Sequence, residues 1–490
     1  MSPSASAVKQ GLEEYLPDHV SITISGDPDY ASTIATWNIR AQYRPLAVVQ
    51  PTTAPEVSTL IKRAQELGVT QIAIRGGGHS FEGLSLGGQD GAFVIDMRKM
   101  DHVFATPEKN EVTAQGGALL SQVHLAAYRN GHKMVPLGTC PSVGIAGQVQ
   151  CGGYGFYSRT YGPMVDRALA FEIVTADGEI RQVDDYHDSD LFYALRGSGV
   201  GSFGVITAVT LRTNDIPASI ANFSVRWKLA DSDIPSILKA LQRACLGAPS
   251  SMNAMVMAWL GQFEVFGTIL ATSDSERDTN WRNFLDALPE SNDARIEGMD
   301  FLTSVMDISK RQTSAPFYQT IDEVQREWDS HLRCMKIKSG FLPKPLTDED
   351  MDRMGQFWKT QPSTGVRVQL LALDPGHTPQ SDSTSIRARG CPWLMGMSVY
   401  ITQKECRADE LMSEAEERMP WLNQAYELFR PLSVGAYVGD DDLEEGAGVY
   451  EGYMASFYGR HLPRLSQVKA RYDPGNLFHH ALSIPVAGGG

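Results

Sequence analysis

Arg75-Gly76-Gly77-Gly78-His79-Ser80-Phe81-Glu82-Gly83 follows the apolar run Gln71-Ile72-Ala73-Ile74. A short β-prone run feeding straight into glycines reads as a buried strand ending in a loop. Three consecutive glycines expose successive backbone N–H groups, which can form a concave nest for an anion such as a pyrophosphate. A histidine placed directly after such a loop lies beside whatever the loop cradles. Taken alone, His79 also reads as a structural histidine; the glycines and the adjacent Ser80 tip it toward a ligand.

A second glycine-rich stretch runs from Pro136 to Gly155: PLGTCPSVGIAGQVQCGGYG. Cys140 sits there between Thr139 and Pro141, in a turn rather than on a strand or helix. It reads as a buried free thiol or as a ligand contact. A disulfide to Cys151 is disfavoured in a reducing compartment.

Working outward, LAVVQP is strand-like, and Thr52-Thr53-Ala54-Pro55-Glu56-Val57 opens a helix that stops at Gly68. GAFVIDM and EVTAQGG read as strands, LLSQVHLAAYRNG as a helix, and 167–183 as a hairpin turning at Ala176-Asp177-Gly178. Asp188 or Asp190 caps a short helix ending at Gly197, and VITAVTLRT is a strand. Residues 1–40 read as a helix and an irregular entry. Gly199, Gly201 and Gly204 match GxGxxG, but a helix precedes them and a strand follows. A dinucleotide fingerprint needs the reverse order, so this is not a Rossmann unit. After about 215 the glycine clusters vanish and strands alternate with amphipathic helices. Beyond 430 glycine and tyrosine return, followed by the basic helix LPRLSQVKARY. The expected organisation is 1–215, a second domain at 216–430, and 431–490 completing the first.

The 490 residues hold 45 glycines, crowded into these few stretches, and 43 basic against 58 acidic side chains, a net charge of −15. That charge argues against nucleic-acid or anionic-membrane binding, which needs a positive surface. No uninterrupted apolar run is long enough to span a membrane, and MSPSASAVKQ does not resemble a secretory signal. The expected address is therefore intracellular and cytoplasmic. Six scattered cysteines without a CxxC pair argue against zinc. The sequon Asn222-Phe223-Ser224 reads as a chance match.

RGGGHSFEG, then GTCPSVG and GGYG, resembles the FAD-linked oxidases of the vanillyl-alcohol-oxidase/berberine-bridge-enzyme type, and within them the glucooligosaccharide-oxidase-like branch. The likeness continues through DLFYALRG, FGVIT, YDPGNLF and SIP, covering about 30–215 and 430–486. It implies an α+β, two-domain FAD-binding fold of the PCMH type, with a substrate domain of antiparallel sheet covered by helices. It also implies FAD held covalently twice, through His79 at the 8α carbon and Cys140 at C6. Gly76, Gly77, Gly78 and Ser80 would lie along the pyrophosphate. Gly144, Gly147, Gly152, Gly153 and Tyr154 would lie near the ring and ribityl chain, and Val205 and Ile206 toward the adenine end, with Arg75 and Asn476 as further cofactor contacts. Val143 would be a gate whose small side chain admits oxygen, or a packing valine.

The resemblance breaks at the catalytic base. The family's Tyr-x-Asn-Tyr-x-Asp stretch is Tyr437-Val438-Gly439-Asp440-Asp441-Asp442 here, so Asp440 takes the place of the second tyrosine. With an ordinary pKa near ~4 a carboxylate is a weak base for an alcohol. Burial, and repulsion from Asp441 and Asp442, would raise it. The plain alternative is a solvated acidic turn. Asp374 is offset from the place of the usual acidic partner, and Gln148 and His461 replace other family residues. His377, Tyr400 and Tyr437 are further cleft candidates.

Asp440 and Tyr437 are thus the catalytic candidates. The expected function is an oxidase that moves a hydride from a bulky small-molecule substrate to flavin N5 and then to molecular oxygen, in secondary-metabolite tailoring. The rivals are a carbohydrate oxidase yielding a lactone and hydrogen peroxide, and a non-redox flavin-bearing cyclase or scaffold.

Overall fold

The helix expected after Thr53 runs Ala54–Glu66 and starts with a full capping box. The Thr53 hydroxyl accepts from the Glu56 N–H, and the Glu56 carboxylate accepts from the Thr53 N–H. Val57, Leu60, Ile61 and Ala64, spaced three and four apart, bury one face against Val49, Ile72 and Phe93. These belong to a four-stranded sheet, in order Ser21–Thr23, Ala47–Gln50, Phe93–Asp96, Ile72–Arg75. The last three strands pair in parallel. In the computed structural model, residues 3–313, 318–373, 383–445 and 452–488 are described.

A five-stranded antiparallel sheet follows, in order Val103–Thr106, Glu111–Gln115, Val205–Arg212, Ala168–Val174, Ile180–Val183. The C-terminal helix Leu462–Tyr472 packs Leu465, Val468 and Tyr472 into the core of that sheet, beside Phe171 and Leu191. Beyond it the chain returns to the first sheet, where the Ile72 N–H donates to the Leu477 carbonyl at 2.9 Å.

Residues 219–402 build a seven-stranded antiparallel sheet, in order Asp293–Gly298, Ser219–Lys228, Gln262–Ala271, Met252–Trp259, Val366–Ala372, Trp393–Thr402, Arg333–Leu342. Side chains alternate across it. Val366, Val368 and Leu370 pack in one core with residues of the helices Ile234–Gly247, Asp348–Trp358 and Leu411–Phe429. Arg367, Gln369 and Leu371, one residue out of step, line a cavity on the opposite face.

An ion network ties this sheet to the first unit. The buried Lys336 ammonium donates to Glu82 at 2.5 Å and to Asp442. Lys338 donates to Asp442 at 2.9 Å and to Glu444 at 2.7 Å. Arg40 completes the network on Glu82 at 2.8 Å. Burial alone would raise the Asp442 pKa, but the two lysines win and hold it below the usual carboxylate range. Removing one partner of such a group leaves a buried carboxylate uncompensated, at about 3–5 kcal/mol. Lys336→Met is therefore expected to lower the urea midpoint markedly, and adding Glu82→Gln to recover part of the loss. An unchanged midpoint would show that the network does not hold the units together.

Two local readings need correction, and two open ones are resolved. The entry segment contains a strand, Ser21–Thr23, too short for its alternation to show in sequence. Asp188 does not cap its helix; it sits at φ +46° and accepts a hydrogen bond from the Tyr472 hydroxyl. Asn222 is buried in a strand, its amide donating to the Ser304 carbonyl and the Asp307 carboxylate, which confirms the sequon as chance. The acidic run 440–442 is not a solvated turn, as shown below. Cys140 and Cys151 are free thiols. Among the described residues, no helix is long and apolar enough to cross a membrane, and no His/Cys/Asp/Glu cluster could hold a metal.

Candidate active site

The two glycine-rich loops meet backbone to backbone. A Cβ on Gly77 would stand 2.3 Å from the Gly144 nitrogen, and one on Gly144 as close to the Gly77 nitrogen, so any side chain at either position would force the loops apart. Gly78 then turns the chain at φ +68°. The second loop is pinned from behind, its Val143 and Pro141 carbonyls accepting from the Leu120 and Ser121 N–H groups at 3.0 and 3.1 Å.

This docking brings His79 and Cys140 to one hydroxyl. The Ser142 Oγ lies 2.8 Å from the His79 Nε2 and 3.5 Å from the Cys140 Sγ. Trp37 stacks on the His79 ring, with centroids 5.2 Å apart. Burial, aided by the charge of Arg333, pushes His79 down to about 3, so the imidazole is neutral with a lone pair on one ring nitrogen. Burial also raises the Cys140 thiol, against the opposing hydrogen bonds from Ser142.

Both side chains line a cavity of 340 Å³ between the loops and the seven-stranded sheet. Gly76, Gly77, Gly78, Ser80, Val143, Gly144, Gly147, Tyr154, Tyr437, Asp440 and Tyr400 line it as well. A smaller adjoining cavity continues past Gly76 and Gly147 to Gly201, Gly204 and Ile206. Five expected contacts lie outside both. Arg75 is fully buried, and its guanidinium donates instead to the carbonyls of Thr33 and Ala35, beside Asp96. Gly152 and Gly153 sit behind the cavity wall, where positive φ turns the chain and a Cβ on Gly153 would strike Met164. Val205 is spent in the sheet core, and Asn476 serves a turn at φ +51°. Asp374 and His377 lie outside the described residues.

The three aspartates diverge. Asp441 is clamped by the Ser80 hydroxyl at 2.5 Å and by the N–H groups of Phe81 and Glu82 at 2.9 and 3.3 Å. Asp442 belongs to the lysine network. Asp440 and Asp441 both line the cavity, and Asp440, outside the Ser80 clamp and the lysine network, has the Ser339 hydroxyl as its partner. Burial raises Asp440 to about 7; the Ser339 hydrogen bond opposes this and the Asp441 charge adds to it. Asp442, neutralised by lysine, does not contribute as expected from its sequence neighbourhood. Burial, then the charges of Cys151 and Asp440, hold the Tyr437 phenol well above its usual value. Tyr437 therefore stays protonated, and its oxygen accepts from the Gly153 N–H at 3.3 Å.

Sequence reading alone missed Trp37, Ser142, Ser339, Arg367 and Gln369. For the last two the signal was present: a polar residue at every second position of a strand whose other positions are apolar marks a face turned to something other than the core. The remaining three depend on long-range contacts that no local pattern carries.

The sequence profile of the FAD binding domain family matches residues 45–184, and that of the berberine and berberine-like family matches residues 436–485. A xylooligosaccharide oxidase of Thermothelomyces thermophilus is 30% identical over 99% of this chain and 96% of its own. The solved structure of Physcomitrella patens BBE-like 1 shares the fold at TM-score 0.83, with 25% identity over 98% of this chain and 99% of that one. That of a glucooligosaccharide oxidase from Acremonium strictum, described with a 6-S-cysteinyl, 8α-N1-histidyl FAD, does so at TM-score 0.82 and 20% identity, over 98% and 99%. The residues here suit such a cofactor. Backbone of Gly76, Gly77, Gly78, Gly144 and Gly147 lines one wall, and two nucleophilic side chains converge beside it. With glycine loops, fold and sequence in agreement along nearly its whole length, the chain belongs to the berberine-bridge-enzyme-like family of FAD-linked oxidases.

Proposed function

We propose that His79 and Cys140 hold FAD through two covalent bonds, and that Asp440 serves as the base for oxidation of a bulky small-molecule alcohol or related carbon centre. The observation that carries the attachment is the convergence of both side chains on the Ser142 hydroxyl at the glycine-lined wall. When bound, the flavin accepts a hydride at N5 and passes two electrons to dioxygen, giving hydrogen peroxide. In the His79 tautomer whose Nε2–H donates to Ser142, Nδ1 is the nitrogen without a proton and the one that would bond the flavin. The same hydroxyl donates toward the Cys140 sulfur and favours its thiolate.

The backbone of Gly76–Gly78 would approach the phosphates, and Gly147 and Ile206 would flank the remainder of the cofactor. Val143 lines the cavity, where its small side chain would serve as the oxygen gate. Asp440 takes the substrate proton, held in place by Ser339, while the protonated Tyr437 donates a hydrogen bond into the site. A pKa near 7 is matched to a general base at physiological pH.

The direct test is acid denaturation of the purified protein. Yellow colour staying with the precipitated polypeptide supports the reading; flavin released into the supernatant overturns it. A second reading, a carbohydrate oxidase, is favoured by the xylooligosaccharide oxidase likeness. Steady peroxide release with cello-, xylo- or chito-oligosaccharides would establish it.

A further inference from the structure

Arg367 is part-buried on the cavity wall, and its partners differ from those of most arginines inside the molecule. Arg40, Arg333 and Arg389 each pair with a carboxylate. Arg75 and Arg159 each reach two main-chain carbonyls. Arg367 donates one hydrogen bond, to the Gln312 carbonyl at 2.7 Å. Its guanidinium otherwise lies against two rings, 4.1 Å from the centroid of Tyr400 and 4.4 Å from that of Trp259. No described carboxylate comes within ion-pair distance of it. A guanidinium carries five N–H donors, and those not spent on Gln312 have no acceptor among the described residues.

The surroundings make this a costly arrangement for an empty purpose. Met255, Met335, Ile337, Leu371 and Leu394 line the same side of the cavity. The two ring faces offset part of the cost of a cation on this wall, and an anion would complete it. Two further donors share its face: Gln369, two residues along the strand, and Ser398, its cross-strand partner. Asp440 and Asp441 line the cavity as well.

Resting on the flavin-oxidase reading, we infer that the substrate is an amphiphilic acid: a carboxylate bound by Arg367, on an apolar or aromatic body seated against Met255, Leu371 and Leu394. One guanidinium balances one negative charge, which fits a carboxylate rather than a phosphate dianion. The planar fork accepts a carboxylate in bidentate fashion. The acid end at Arg367 leaves the other end of the molecule for the oxidation centre at Asp440. A neutral sugar would leave the guanidinium unmatched.

The test uses flavin-loaded protein and a matched pair of probes, cinnamate and cinnamamide, titrated while following flavin absorbance and tryptophan fluorescence. Cinnamate is expected to bind about tenfold or more tightly than the amide, and more weakly as salt rises. Arg367→Gln should abolish the difference, whereas Arg367→Lys should retain part of it. Equal affinity of the wild type for acid and amide, no cinnamate binding at millimolar concentration, or a preference surviving Arg367→Gln would each overturn the inference. Flavin content and visible spectrum report separately on the variants' folding and on the flavin reading itself. A protein that takes up no flavin would defeat that reading, whereas a yellow protein indifferent to the carboxylate defeats only this one.

Discussion

Asp440→Asn is expected to slow flavin reduction by substrate by about a hundredfold or more under anaerobic conditions, the usual scale for losing a general base. Asparagine preserves the size of the side chain and its ability to bond Ser339, but it cannot take a proton. Flavin content should therefore be unchanged while the reductive rate falls. In the wild type that rate should rise with pH through about 7, where Asp440 ionises, and in the variant the rise should disappear. An unchanged rate and profile would make Asp440 a bystander.

The same substitution should act oppositely on stability. Asp440 titrates near 7 in the folded protein against 3.8 for an ordinary aspartate. Between those values the folded state holds a proton that the unfolded chain has released, so its contribution to stability falls as pH rises through the window. At pH 8 the ionised carboxylate is at its most unfavourable, and Asp440→Asn should raise the melting temperature there. At pH 4 the difference should nearly vanish. A variant that is slower yet more heat-resistant at high pH carries the signature of a strained catalytic group rather than of a damaged fold.

The second large effect is on the cofactor. In His79→Ala/Cys140→Ala all flavin is expected in the supernatant after acid denaturation, leaving colourless protein. Each single variant should stay yellow, with intact mass showing one FAD and peptide mapping placing it on the remaining residue. Full release from either single variant would mean that only one bond exists, and would sink the double attachment. Ser142 touches both side chains, so the singles should also flavinylate more slowly where that contact is disturbed.

Much of this architecture was legible from local chemistry. The Thr53-Pro55-Glu56 cap and the glycines after Ile74 are short-range signals, and each forms the element it suggests. Arg75 misled because a basic residue beside a phosphate-type loop looks like a phosphate ligand. Only the fold reveals the carbonyls of Thr33 and Ala35 waiting for it. For the aspartates two readings stood open, a buried base and a solvated turn, and only Lys336, Lys338 and the Ser80 loop, far away in sequence, decide against the solvated turn. Ser142 is a single small residue whose importance lies wholly in what two other loops place around it.

The division of labour among Asp440, Asp441 and Asp442 has a safety consequence. A peroxide-generating catalyst is hazardous if it works while incomplete. Here the acid that faces the cavity is held there by neighbours whose own grips, on the Ser80 loop and on the lysines of the seven-stranded sheet, exist only once the parts of the chain have come together. In a nascent or damaged chain Asp440 returns to water and titrates as an ordinary carboxylate. On the proposed assignment of Asp440 as the base, substrate oxidation is thereby reserved for molecules that have finished assembling.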